Sequence, residues 1–187
     1  MSSDGPTGYA GVQKFLHWLM AILVVVMVGV GLTLPRIGPG PVTNALYEIH
    51  KSIGMLVLAL VLVRLAVRWR LGAPEPVSGM PAWQRWAAGT SHALLYALMV
   101  LVPIAGWAAT SACCRPVNFL WTVPATLPVP ADNALAKQVF QLHFAMAFVL
   151  IGVVAVHVGA ALHHHFARRD DTLRRMLPEA RDGGPQR

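Results

Sequence analysis

Charge is what this 187-residue chain has least of: 12% of its residues are charged, where a soluble domain carries about a quarter. Acids are scarcer than bases, eight Asp and Glu against fifteen Lys and Arg. Only Glu48 falls within an apolar block, at its very edge. A proton relay in a membrane would normally include carboxylates at depth, and their lack weighs against one. Cysteine is nearly missing as well. The two present, Cys113 and Cys114, are adjacent, and no Cys-x-x-Cys-His run exists, which excludes covalent attachment of a c-type haem. Neighbouring cysteines could oxidise, pair between chains, or simply be small loop residues. No internal repeat stands out.

What the chain does have is apolar sequence, 56% of it, gathered in four blocks. They run approximately over 15–34, 47–67, 87–110 and 139–162, each near the ~20 residues a spanning helix needs. The reading is an all-α fold, a four-helix transmembrane bundle in one domain, 1–187. Its helices are expected at about 12–34, 46–70, 83–110 and 134–166, with a polar tail over 167–187. Pro35, Gly38, Pro39, Gly40 and Pro41 mark the first outer loop, and Gly72, Pro74, Pro76, Gly79 and Pro81 the inner one. The stretch from Arg115 to Asn133 is too proline-broken for a helix and belongs at the outer interface. Pro103 lies inside the third block and is expected to kink it.

The net charge of +7 is distributed as a topology signal rather than a nucleic-acid surface. Lys14, Arg64, Arg68, Arg70, Arg85 and the six arginines from Arg168 onward fall on one side; Arg36, Lys51, Arg115 and Lys137 fall on the other. The positive-inside rule places both termini in the cytoplasm, as expected of a multi-pass membrane protein. The first block is long for a signal peptide, lacks a clean cleavage pattern and carries His17, so it reads as a retained helix.

Five histidines lie in or at the ends of the blocks. His143 and His157 are fourteen residues apart, just under four helical turns and roughly 21 Å of rise, in a hydrocarbon core about 30 Å thick. One helix thus offers a histidine to each leaflet. Alternating helix directions put His50 with His143 at the outer level and His17, His92 and His157 at the inner one. Facing histidines from different helices are a standard way to hold a cofactor in a bundle. Imidazole suits iron, and a b-type haem needs only two axial ligands; zinc would need more ligands at one point. His92 is an alternative inner ligand or a partner of a propionate or quinone. Gly31 follows His17 by fourteen and offers either macrocycle clearance or close helix packing. Arg64 follows His50 by fourteen and either pairs with an inner propionate or snorkels to the interface. His163, His164 and His165 end the fourth helix; a short His run can bind metal, and interfacial solvation is the reading preferred.

These residues resemble the bacterial cytochrome b-561 family of small di-haem membrane proteins. The similarity runs from about Tyr9 to Pro178. It rests on Phe15-Leu16-His17-Trp18, Ile49-His50-Lys51-Ser52-Ile53-Gly54, Val63-Arg64-Leu65 with Arg68, and His92-Ala93-Leu94-Leu95-Tyr96. It continues through Pro103-Ile104-Ala105-Gly106-Trp107, Leu142-His143, Val156-His157, His164-His165-Phe166 and the run Asp171 to Pro178. The resemblance implies two b haems, the inner held by His17 and His157, the outer by His50 and His143. It also implies exchange with the quinone pool, ubiquinone or menaquinone, and in some members superoxide oxidation at the outer face. Arg64, His92 and His164 are candidates for the propionate or quinone region. The chain departs from the family in the outer loop, where an external electron donor would dock. The rival readings are a cytochrome subunit anchoring a dehydrogenase or hydrogenase, and a haem-free transporter or proton relay. Whether the protein is an enzyme or an electron carrier, and its oligomeric state, are not set by these residues.

Overall fold

The computed structural model describes residues 8–114 and 117–177. Arg115 of the outer charge group, and Pro178, Arg181 and Arg187 of the tail, lie outside the described residues. Four helices dominate: α1 (Gly11–Thr33), α2 (Pro41–Leu71), α3 (Ala82–Cys113) and α4 (Asn133–His163). Each is long and apolar enough to cross a membrane. The fold is the expected all-α four-helix bundle. A short hairpin, β1 (Asn118–Phe119) and β2 (Val123–Pro124), is added in the proline-broken outer segment, with Phe119 opposite Val123.

Local chemistry explains where the helices begin and end. α2 starts five residues before the expected 46 because Pro41 occupies its first turn, where a missing N–H costs nothing and φ is already helical. It stops at Gly72, at φ +69°, whose N–H returns to the Arg68 carbonyl at 2.9 Å. Asp132 caps α4 by accepting from the N–H groups of Ala134 and Leu135 at 2.7 and 3.2 Å. Pro103 is carried within α3 without ending it. Beyond α4 the chain widens into a π turn over His164–Arg168 and reverses at Arg169, at φ +56°.

α1 packs on α2, α2 on α3 and α3 on α4. Among the described residues, α4 makes no comparably close backbone approach to α1 or α2, and this spacing matters for the site. The outward faces are apolar: Phe15, Val25, Leu62, Phe148 and Val156 are all exposed. In lipid such faces carry no penalty, because the helices satisfy their own backbone groups.

Each end of the bundle is stitched. At the inner end Gln13 Nε2 donates to the Gly72 carbonyl (2.9 Å), Trp18 Nε1 to Met176 (2.9 Å) and the Tyr9 N–H to Arg175 (3.4 Å). The first and last described residues therefore share one end. At the outer end Trp107 Nε1 donates to Ala125, the Leu127 N–H to Ser111 Oγ (3.0 Å) and the Asp132 N–H to Ala112 (3.2 Å). The hairpin tip places Leu120 and Trp121 at φ +49° and +64°, a left-handed conformation costing about 1–2 kcal/mol per residue. Ser52 of α2 holds it by accepting from the Leu120 N–H at 2.9 Å.

The reversed tail is clasped to α4 through Asp170. Its Oδ2 lies 2.6 Å from His164 Nδ1 and its Oδ1 accepts from the Thr172 N–H at 3.0 Å. Burial by itself would raise this carboxyl, but the Thr172 hydroxyl and amide and the His164 ring outweigh it and lower the pKa from 3.8 to about 2. A depressed acid stabilises above its unfolded pKa and loses that contribution as pH falls through the folded one. The clasp is therefore complete above about pH 4 and opens as pH falls toward 2. We predict that D170N accelerates amide exchange over residues 171–177 roughly 10- to 100-fold at neutral pH, the loss expected of hydrogen bonds to a charged group. Exchange in α1 to α4 should be unchanged. Equal protection in wild type and D170N would show that the clasp contributes nothing.

Candidate cofactor centre

Helix direction and the fourteen-residue spacing bring the histidines together at two depths. At the outer level His50 of α2 faces His143 of α4, with ring centroids 6.3 Å apart. At the inner level His17 of α1 faces His157 of α4, also at 6.3 Å. A metal-bound imidazole nitrogen sits about 2 Å from the ion, and its ring centroid lies roughly 1 Å further out. Two rings trans across one ion thus have centroids about 6 to 6.5 Å apart, so both pairs match a single ion between them. His92 of α3 approaches His157 at 5.3 Å, closer than that range. Among the described residues no group of three or more His, Cys, Asp or Glu is placed to hold a metal ion.

Two glycines back the outer rings. A Cβ at Gly31 would meet His50 Cε1 at 3.2 Å, and one at Gly106 would meet the His143 ring at 3.0 Å. Gly31 thus gives clearance to an imidazole rather than directly to a macrocycle. Gly29, Gly152 and Gly159, the alternatives for helix packing, have nothing within 4 Å of the same position; only Gly54 meets an ordinary contact, with Met27. Gly106 was not singled out by spacing, yet the signal was present: it follows His92 by fourteen. Every helix thus carries one such pair: His17 and Gly31, His50 and Arg64, His92 and Gly106, His143 and His157.

The far nitrogens of the rings are held differently. His143 Nδ1 lies 2.9 Å from the Val102 carbonyl, so it is the protonated nitrogen and leaves Nε2 with its lone pair, the usual arrangement of a metal-binding histidine. His50 Nδ1 is buried and has no hydrogen-bond partner among the described residues. His17 Nδ1 lies 3.3 Å from Arg64 Nη2, while Arg64 Nη1 donates to the Gln13 carbonyl at 3.0 Å. Arg64 therefore stands beside the inner pair. A recess there is lined by Tyr9, Gln13, Arg64, Val67, Arg68 and Tyr96, a concentration of cationic and hydroxyl donors.

His164 is not gathered with the inner pair; its ring is engaged by Asp170 and lies 3.5 Å from the Thr172 hydroxyl. Sequence reasoning did not anticipate this clasp, because it depends on the chain reversal at Arg169. Cys113 and Cys114 are joined in a disulfide, deciding between the alternatives left open by their adjacency.

Comparison with known proteins agrees with this architecture. The family model described as prokaryotic cytochrome b561 matches residues 8–179. Cytochrome b561 homolog 2 of Escherichia coli is 36% identical, covering 94% of each chain. Cytochrome b561 homolog 1 of the same organism is 31% identical over 91% of this chain and 97% of its own. The probable superoxide oxidase CybB of Yersinia pestis is 28% identical over 92% and 97%. With four spanning helices and two levels of facing histidines, the chain belongs to the prokaryotic cytochrome b561 family, as a haem-binding membrane cytochrome of electron transfer.

Proposed function

We propose that His17 with His157, and His50 with His143, are the axial ligands of two b haems, one at each level. The chain then carries electrons across the bacterial inner membrane between an outer donor and the quinone pool. The observation that carries this reading is the equal 6.3 Å ring separation at two depths on one helix. Both separations suit trans imidazoles, and α4 stands off from α1 and α2. When bound, haem iron supplies reversible one-electron transfer, with a potential tuned by ligand hydrogen bonding and burial.

The residues divide the work. α4 contributes one ring to each level. Val102 orients His143 through its carbonyl, and Gly31 and Gly106 let the outer rings seat against the backbone. Arg64 has a conditional role. A guanidinium only donates, so while Arg64 holds His17 Nδ1, the neutral ring keeps its proton on Nε2. Ligation through Nε2 requires Arg64 to release that nitrogen and turn to another acceptor. A propionate carboxylate within reach of Arg64 and Arg68 is the acceptor we assign. His92 is too close to His157 for a trans pair and borders the inner site. Together with Arg64 it marks the region proposed for propionates or quinone; His164, engaged by Asp170, stands apart from it.

The donor proposed is superoxide, as the name of the Yersinia pestis relative suggests. Outer lysines would draw an anion, though Lys51 is already paired with Glu48. A cytochrome subunit serving a separate dehydrogenase is the competing reading, and a stoichiometric partner on purification would favour it.

Purified, haem-supplied protein should contain two b haems per chain by pyridine haemochrome assay. H17A and H157A should each lose the same haem, H50A and H143A the other, and H92A should keep both. One haem per wild-type chain, or a loss in H92A as complete as in H17A, would sink the assignment. G106V should lower outer-haem occupancy roughly tenfold, an effect of the size expected from overpacking, while G152V should match wild type; equal occupancy in the two variants would remove Gly106 from the site. Superoxide supplied to the purified protein with a water-soluble quinone should be consumed faster than it dismutates spontaneously. No quinone-dependent acceleration would eliminate superoxide as the donor and leave the two-haem reading standing.

A further inference from the structure

The outer end of α3 carries a covalent feature that haem-to-haem transfer does not use: the disulfide between Cys113 and Cys114, neighbours in sequence. A disulfide stabilises mainly by closing a loop of the unfolded chain, and its contribution grows with loop length. Between neighbours the loop contains no residue, so the bond restrains almost nothing in the unfolded chain. Nor is it needed to hold the outer segment, which Trp107, Ser111, Ala112 and the pairing of Val117 with Thr126 already tie down. A bond with so little to offer as a staple, placed at a surface, has the character of a redox-active one.

Its surroundings suit exchange. Cys114 is exposed and Cys113 half-buried, so an external thiolate meets the pair from the Cys114 side. The Cys114 N–H donates to the Thr110 carbonyl at 2.9 Å and Thr110 Oγ1 to the Gly106 carbonyl at 2.8 Å. The pair thus tops a four-residue stripe that ends against the His143 ring. By the proposed topology this end faces an oxidising compartment, where a disulfide persists until a dedicated reductant meets it.

We propose that Cys113–Cys114 is a thiol–disulfide exchange site for a dithiol reductant. One donor thiolate attacks Cys114 Sγ, the Cys113–Cys114 bond breaks, and Cys113 departs as a thiolate that takes a proton. The donor's second thiolate then attacks its own sulfur in the mixed disulfide and releases Cys114, which takes the second proton. Two electrons and two protons pass to the pair, and the donor leaves as a disulfide. The compartment rests on the topology proposed above, but the chemistry needs no haem.

The test uses full-length protein in detergent, treated with dithiothreitol without denaturant, then a maleimide, and read by intact mass. The chain's only two cysteines are this pair, so the label count reports it directly. No label is expected before reduction, two after it, and none again after treatment with oxidised dithiothreitol. The thermal midpoint should fall by less than about 3 °C on reduction, since almost no loop entropy is released. Labelling before reduction, labelling only in denaturant, or a larger drop in midpoint would each overturn the proposal. Because the readout is thiol count, it stands or falls separately from the haem stoichiometry.

Discussion

The bundle is organised by a distance that protein backbone alone would not choose. α4 packs closely on α3 but not on α1 or α2. Instead it meets them through imidazole rings held 6.3 Å apart, once near each face. The other features accommodate this stand-off. Glycines sit behind the outer rings, a carbonyl fixes one imidazole, and the helices are stitched together at their ends, where hydrogen bonds can be made without narrowing the middle. On the two-haem reading proposed above, the cofactor accounts for such a spacing in a solvent that gives helices no hydrophobic reason to associate.

Much of this was legible in the chain. Block length and the scarcity of charge implied four spans, and the histidine depths followed from alternating helix direction. The His17–His157 and His50–His143 matches drew on spacing and on family resemblance together, and the inner choice over His92 rested on resemblance alone. In the structure the His92 ring lies 1 Å nearer His157, by centroid, than the His17 ring does. Gly106 escaped notice because a glycine's purpose depends on what faces it across a helix interface, although its interval from His92 repeats the one that exposed Gly31.

The parts that were not legible depend on long-range closure. The tail's capture of His164 requires the chain to reverse at a left-handed arginine, and nothing in Arg169 as a residue type announces that. The hairpin in the proline-broken outer segment needs Ser52, nearly seventy residues earlier, to hold a tip whose Leu120 and Trp121 are poor choices for positive φ. The early start of α2 was a misreading of Pro41 as loop, where it opens a helix.

Three of the facing rings, His143, His17 and His50, differ in what their Nδ1 atoms meet. The pairs are alike in separation but unlike in how they are electronically backed. A ring whose far N–H leans on a carbonyl donates more strongly to a metal, whereas a ring beside a guanidinium feels a fixed positive charge. His143 has the first environment, His17 the second, and His50 has neither. Rings matched in separation are therefore unlike in their surroundings, so that on the two-haem reading the two levels would not be interchangeable resting places for an electron.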